Sequence, residues 1–186
     1  LNGNLHFYNK MLLNHLSAVN LRLSIFKEEW NFLAVKVQNK NPAEWIKAFI
    51  FEFTGTAENS LMNAENEPAW GKPIVGFANG GDPVWDEFKR HIGPFYFAPL
   101  EIFMKTFPSV KARPDELTVI SWILPQTELT KSESRKEKAF PSERWARSRK
   151  YGEDFNVKLR KHIVHKLMEA GHEAVAPQLS PLWEIK

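Results

Sequence analysis

The residues most able to do chemistry crowd into one segment. Between Lys131 and Lys161 stand Lys131, Arg135, Lys136, Lys138, Arg144, Arg147, Arg149, Lys150, Lys158, Arg160 and Lys161. These eleven cations face five acids, a local charge of +6 in a chain whose net charge is +3. Phe140, Trp145 and Tyr151 are interleaved among them. Basic side chains neutralise phosphates and aromatic rings stack on bases, so the segment suits RNA or a phosphorylated cofactor. It equally suits a solvated loop and helix face, the commoner fate of charge runs. His162, His165 and Glu169 can share a helix face as metal ligands would, yet Ile163 and Leu167 mark that helix's buried side. Gly76…Gly80-Gly81 lies between a strand and a helix but matches neither dinucleotide nor P-loop spacing. Asp82 moreover sets a carboxylate where a phosphate would have to sit. No Gly-x-Ser-x-Gly elbow and no cysteine nucleophile is present, so acyl transfer has no support.

The elements that must position these residues belong to one soluble globular domain. The chain has 186 residues, 43% hydrophobic, 13% aromatic and 25% charged, which excludes disorder, collagen-like repeats and a disulfide scaffold. Without cysteine it cannot ligate an iron–sulfur cluster or a thiolate zinc by itself. No apolar run is long enough to span a bilayer and no signal peptide opens the chain, so a cytoplasmic location is expected. The first residue is Leu1, which suggests a processed or trimmed start.

Along the chain, residues 1–40 read as an arm: a helix carrying Leu5, Tyr8, Leu12 and Leu16, then a strand over Phe32–Val37. Residues 41–186 read as the α/β domain. Asn41-Pro42-Ala43-Glu44 is a helix start, and Trp45, Ile46, Phe49, Ile50 and Phe53 form one apolar face ending by Gly55. Residues 56–72 are polar, a loop long enough to be functional or mobile. Pro73–Ala78 reads as a buried strand, and Asp82-Pro83 opens a helix with Trp85, Phe88 and Ile92 on one face. Another short helix starts at Pro99 with Leu100, Phe103 and Met104 inward. Leu117–Leu124 reads as a central strand covered on both sides. Residues 126–142 show no apolar period and read as a basic excursion. Glu153–Ala170 is a helix with Phe155, Leu159, Ile163 and Leu167 four apart, and Ala174–Ala176 a last strand. The alternation predicts an α/β fold, a single domain with a mixed sheet of about four strands flanked by helices.

Several strings carry more than periodicity. Lys72-Pro73-Ile74-Val75-Gly76-Phe77-Ala78-Asn79-Gly80-Gly81-Asp82-Pro83 is followed by Ile92-Gly93-Pro94 and Ala98-Pro99-Leu100-Glu101. Then come Arg113-Pro114-Asp115-Glu116-Leu117-Thr118-Val119-Ile120-Ser121-Trp122-Ile123-Leu124-Pro125 and Glu143-Arg144-Trp145-Ala146-Arg147-Ser148-Arg149-Lys150-Tyr151-Gly152. In this order they resemble the N-terminal part of the epoxyqueuosine reductase-like iron–sulfur (4Fe-4S ferredoxin-type) proteins, over about Pro68 to Trp183. The resemblance implies a corrinoid-binding α/β domain followed, C-terminally, by a module holding two iron–sulfur clusters. In complete members electrons pass from the clusters to cobalamin, which reduces the epoxide of a modified tRNA base. The family's Arg-Tyr-Ala-x-Gly-Arg-Asp-Tyr-His stretch keeps Arg144, Ala146, Arg149 and Tyr151 here, while its Gly, Asp and His become Ser148, Lys150 and Gly152. Its Asp-Ser-Ala-Pro, whose Asp is the assigned proton donor, becomes Gln178-Leu179-Ser180-Pro181, and an amide cannot donate as an acid does. The implied function is the N-terminal domain of an iron–sulfur, cobalamin-dependent reductase-like protein, incomplete as a catalyst by itself and holding no cofactor of its own. Arg144, Arg147, Arg149 and Tyr151 would meet an anionic cofactor or tRNA phosphate. The alternative is a non-catalytic module binding RNA or a partner through residues 131–161.

Overall fold

The computed structural model describes residues 17–22 and 41–182. Strands and helices alternate: β1 (Ser17–Arg22), α1 (Pro42–Thr54), β2 (Ile74–Asn79), α2 (Val84–Ile92), α3 (Pro99–Thr106), β3 (Leu117–Ile123), α4 (Glu128–Lys136), α5 (Glu143–Glu169) and β4 (Glu173–Val175). Single 3₁₀ turns cover Pro114–Glu116 and Pro177–Leu179. The fold is thus mixed helix and strand, in loose agreement with the α/β expectation. The strands neighbour one another in the order β2-β3-β1-β4. The ladder with a defined register is β1 antiparallel to β4, with Asn20 opposite Val175, Leu21 opposite Ala174 and Arg22 opposite Glu173. β1 falls between the helix and the strand expected in the first forty residues, both of which lie outside the described residues.

The described residues divide into two compact units, the first comprising residues 17, 46–75 and 122–159, the second residues 18–22, 41–45, 76–121 and 160–182. In the first unit, α1 supplies Ile46, Phe49 and Ile50 to a core that also takes Trp70, Trp122, Leu124, Phe155 and Leu159. Phe53 stacks on Phe155 with ring centroids 5.6 Å apart. The Asn41 side chain accepts the Ala43 N–H at 3.0 Å, as the helix-start signature predicted. In the second unit, Phe103, Leu117 and Val175 centre a core walled by Leu100, Met104, Phe107, Val110 and Ala112. Gly80 closes the turn after β2 so tightly that a Cβ there would stand 2.7 Å from the Leu117 Cβ. Its N–H donates to the Leu117 carbonyl at 2.8 Å.

Three sequence expectations are corrected. The basic excursion contains a helix, α4, whose start is set by a local cap rather than an apolar period: the Thr127 hydroxyl accepts the Thr130 N–H. The long helix α5 starts ten residues earlier than its apolar spacing indicated, because its first turns are held by polar contacts. β2 is half exposed rather than buried, with Ile74 at 61%, consistent with its place at one end of the strand order. α2 buries none of its residues. The half-buried Trp85 and the exposed Phe88 of α2 instead meet edge to face at 5.8 Å, and Phe88 meets the half-buried Tyr96, beyond the helix, at 6.3 Å.

Candidate functional site

Within the first unit, the start of α5 and the 55–72 loop build one bonded assembly. The loop has no regular structure, so its backbone groups need other partners. Asn59, almost fully buried, supplies three: its Nδ2 donates to the carbonyls of Thr54 and Trp70 at 3.0 and 2.9 Å, and its Oδ1 accepts the Trp70 N–H at 2.9 Å. The Ser60 hydroxyl donates to the Asn66 side chain and accepts the Met62 N–H at 2.8 Å. Asn63 accepts the Glu67 N–H and donates to the Glu67 carboxylate. Met62 and Asn66 both take positive φ, 54° and 51°. Asparagine tolerates that region; methionine does not, and is held there by its surroundings.

Helix α5 pins this loop from outside. The Arg144 Nε and second terminal nitrogen donate to both oxygens of Glu67 at 2.9 and 3.1 Å, while its remaining terminal nitrogen reaches Glu133 at 3.1 Å. The Arg144 backbone N–H also donates to Glu133. Hydrogen bonding from Arg144 holds the Glu67 carboxyl below the usual glutamate range, and Glu67 in turn pushes the guanidinium up. Arg147 donates to Glu143 at 2.7 Å and to the Met62 carbonyl at 2.9 Å. Trp70 inserts its indole against Gly152, donating from Nε1 to the Gly152 carbonyl at 2.9 Å. Gly152 has to be glycine there, because a Cβ would stand 2.6 Å from three atoms of that ring.

Of the residues singled out by sequence, Arg144 and Arg147 thus act on the protein's own loop. Arg149 is half-buried, and the ring of the half-buried Tyr151 lies 5.2 Å from the Lys150 ammonium. Gln178 sits half-buried in the Pro177–Leu179 turn of the other unit. The His165 ring pairs with Glu169 at 3.1 Å on an exposed surface. Among the described residues no group of three His, Cys, Asp or Glu side chains is placed to hold a metal ion.

The groups that the resemblance implies do not fit the residues present. Iron–sulfur clusters need thiolates, and the chain has no cysteine. At the positions matched to the corrinoid neighbourhood, the Arg144 guanidinium is already shared by two carboxylates and Gln178 offers an amide.

What remains exposed is the connection between α4 and α5. Arg135 and Lys136 in the last turn of α4 and Glu137, Lys138, Ala139, Phe140 and Pro141 after it are all exposed, and Phe140 is 80% so. The ends of this connection are fastened. The Ser134 and Ser142 hydroxyls meet at 3.0 Å, the Ser142 hydroxyl accepts the Trp145 N–H at 3.3 Å, and Glu133 bonds Arg144 one step beyond. The sequence signalled the cations here but not the clasp beneath them, which depends on serine hydroxyls that spacing does not reveal. Among the described residues no helix is long and apolar enough to cross a membrane. Comparison with protein-family models, with curated proteins and with solved structures finds no match to this chain.

Proposed function

We propose that the chain is the N-terminal domain of an iron–sulfur reductase-like protein of the epoxyqueuosine reductase type, a binding and docking domain that does no redox chemistry alone. One observation carries the reading: two of the strings behind the resemblance are built against each other. Asn79 donates to the Asp115 carbonyl at 3.3 Å, and Gly80 is pressed on Leu117, so the glycine turn and the Arg113–Pro125 string depend on one another for fit. Clusters would come from a cysteine-bearing module C-terminal to this chain. The test is to extend the parent reading frame past Lys186 and look for Cys-x-x-Cys-x-x-Cys-x-x-x-Cys-Pro runs. Cysteine runs followed by iron and sulfide in the purified parent protein are the expected result; a parent lacking them overturns the reading.

A second reading is favoured by the exposed cations of the α4–α5 connection: a module that grips RNA without catalysis. Arg135, Lys136 and Lys138, rather than Arg144 and Arg147, are then the phosphate contacts. Replacing all three by alanine should flatten the dependence of log affinity on log salt by about 2, since each single-strand phosphate neutralised contributes about 0.7. An unchanged slope would assign RNA binding to other residues.

A further inference from the structure

Phe140 is the most exposed large apolar side chain among the described residues, and it stands two residues from Lys138. We infer that Phe140 is a stacking platform for an unpaired base, which makes the α4–α5 connection a reader of single-stranded rather than duplex RNA. The inference rests on the second reading above and adds to it the strand class.

Three observations converge. First, the cations that lie nearest in sequence, Arg135, Lys136 and Lys138, are exposed and form no ion pair among the described residues, whereas Lys131, Arg144, Arg147 and Lys158 all do. Positive charge is therefore left over at the tip and spent at its base. Second, Lys138 and Phe140 are within about 7 Å along the backbone even when fully extended, so a ring and a phosphate contact serve the same nucleotide or its neighbour. Third, the tip is pre-formed. The Ser134–Ser142 contact and the Glu133–Arg144 bonds close the chain on either side, so binding has to order only the few residues between them.

A base offers a π face to one ring whatever its identity, and a duplex hides that face inside its stack. A lipid surface is the rival occupant of a basic, aromatic tip. Anchoring there scales with apolar area, and Phe140 is the sole large apolar side chain among residues 135–141. One ring is enough for a stack and small for an anchor.

The test uses the full chain with a fluorescein-labelled adenine oligoribonucleotide of about twelve nucleotides, within the single-strand site sizes common for such surfaces. A blunt RNA duplex of equal length and phosphatidylserine-containing vesicles run beside it. The expected result is tighter binding to the single strand than to the duplex. Phe140→Ala and Phe140→Leu should weaken it by about 5- to 150-fold, the loss of one base–aromatic stack, while Phe140→Trp retains it. Equal binding of both RNAs, insensitive to Phe140→Ala, overturns the stacking platform and leaves the RNA reading standing. No binding of either RNA at low salt overturns both. Vesicle binding that survives Phe140→Leu but not Phe140→Ala, without RNA discrimination, assigns the tip to membranes instead. Because the side chain is exposed, an unchanged melting temperature for each variant separates lost binding from lost folding.

Discussion

Replacing Gly152 with alanine should destabilise the protein, against the ordinary expectation for an exposed helix interior, where the same change gains about 1 kcal/mol. The added Cβ would sit 2.6 Å from Cε2, Cζ2 and Nε1 of Trp70, while carbon contacts are optimal near 3.5–4.0 Å. The ring has to withdraw by about 1 Å. It is 4% exposed, and its Nε1 is bonded at 2.9 Å to the carbonyl of the very residue being enlarged, so withdrawal breaks that bond. Overpacking of this kind costs about 1–3 kcal/mol, and a lost hydrogen bond adds about 1. Less the helix gain, the net loss is about 1–3 kcal/mol. Urea unfolding monitored by tryptophan fluorescence measures it as a lowered midpoint at constant slope. Two comparisons sharpen the assay. Gly76→Ala, with nothing within 4 Å of its Cβ, should stabilise by about 0.5–1 kcal/mol. In a Trp70→Leu background, Gly152→Ala should become neutral or stabilising, and the double-mutant cycle should show the coupling. If Gly152→Ala alone is as stable as the parent, the contact between Trp70 and α5 does not constrain the helix and the reasoning fails.

Two other perturbations address the same assembly. Asn59→Leu strips partners from three backbone groups of Thr54 and Trp70, so it should cost roughly 3 kcal/mol or more and speed hydrogen exchange at the Trp70 amide; unaltered exchange would mean another partner holds that amide. Glu67→Gln tests the clasp by pH. Arg144 depresses the Glu67 pKa in the folded state, so its contribution is complete above the unfolded value of about 4.3 and is lost as pH falls through the lower folded value. The stability gap between parent and Glu67→Gln should therefore be present at pH 6 and close toward pH 3, whereas a gap independent of pH would show that the charge of Glu67 is not what bonds Arg144.

Elements built on apolar repetition were legible in the sequence. Phe155, Leu159, Ile163 and Leu167 mark the buried stripe of α5, and Leu117, Val119, Ile120 and Trp122 mark a strand covered on both faces. What stayed hidden was bonded by polar side chains. α4 carries one large apolar residue, Leu129, and exposes it, so periodicity had nothing to detect. The first turns of α5 stay ordered through Arg144, whose partner Glu67 lies 77 positions away, and no local spacing encodes a pair so distant. The arginines that the resemblance assigns to an anionic cofactor include Arg144 and Arg147, whose guanidinium groups bond the 55–72 loop. In α2 the apolar face read from the sequence is only half covered, with Trp85 and Ile92 half-buried and Phe88 exposed.

The bonding of the 55–72 loop bears on how this protein can change over evolutionary time. Surface loops ordinarily accept insertions because the closure entropy grows slowly with length and few contacts are at stake. Here Asn59 reaches Trp70, Ser60 reaches Asn66 and Asn63 reaches Glu67, each across a fixed offset. One extra residue between Asn63 and Asn66 would lengthen all three spans at once and shift Glu67 away from Arg144. Drift in this region should therefore proceed by substitution at exposed positions such as Ala64 and Glu65, with length held constant.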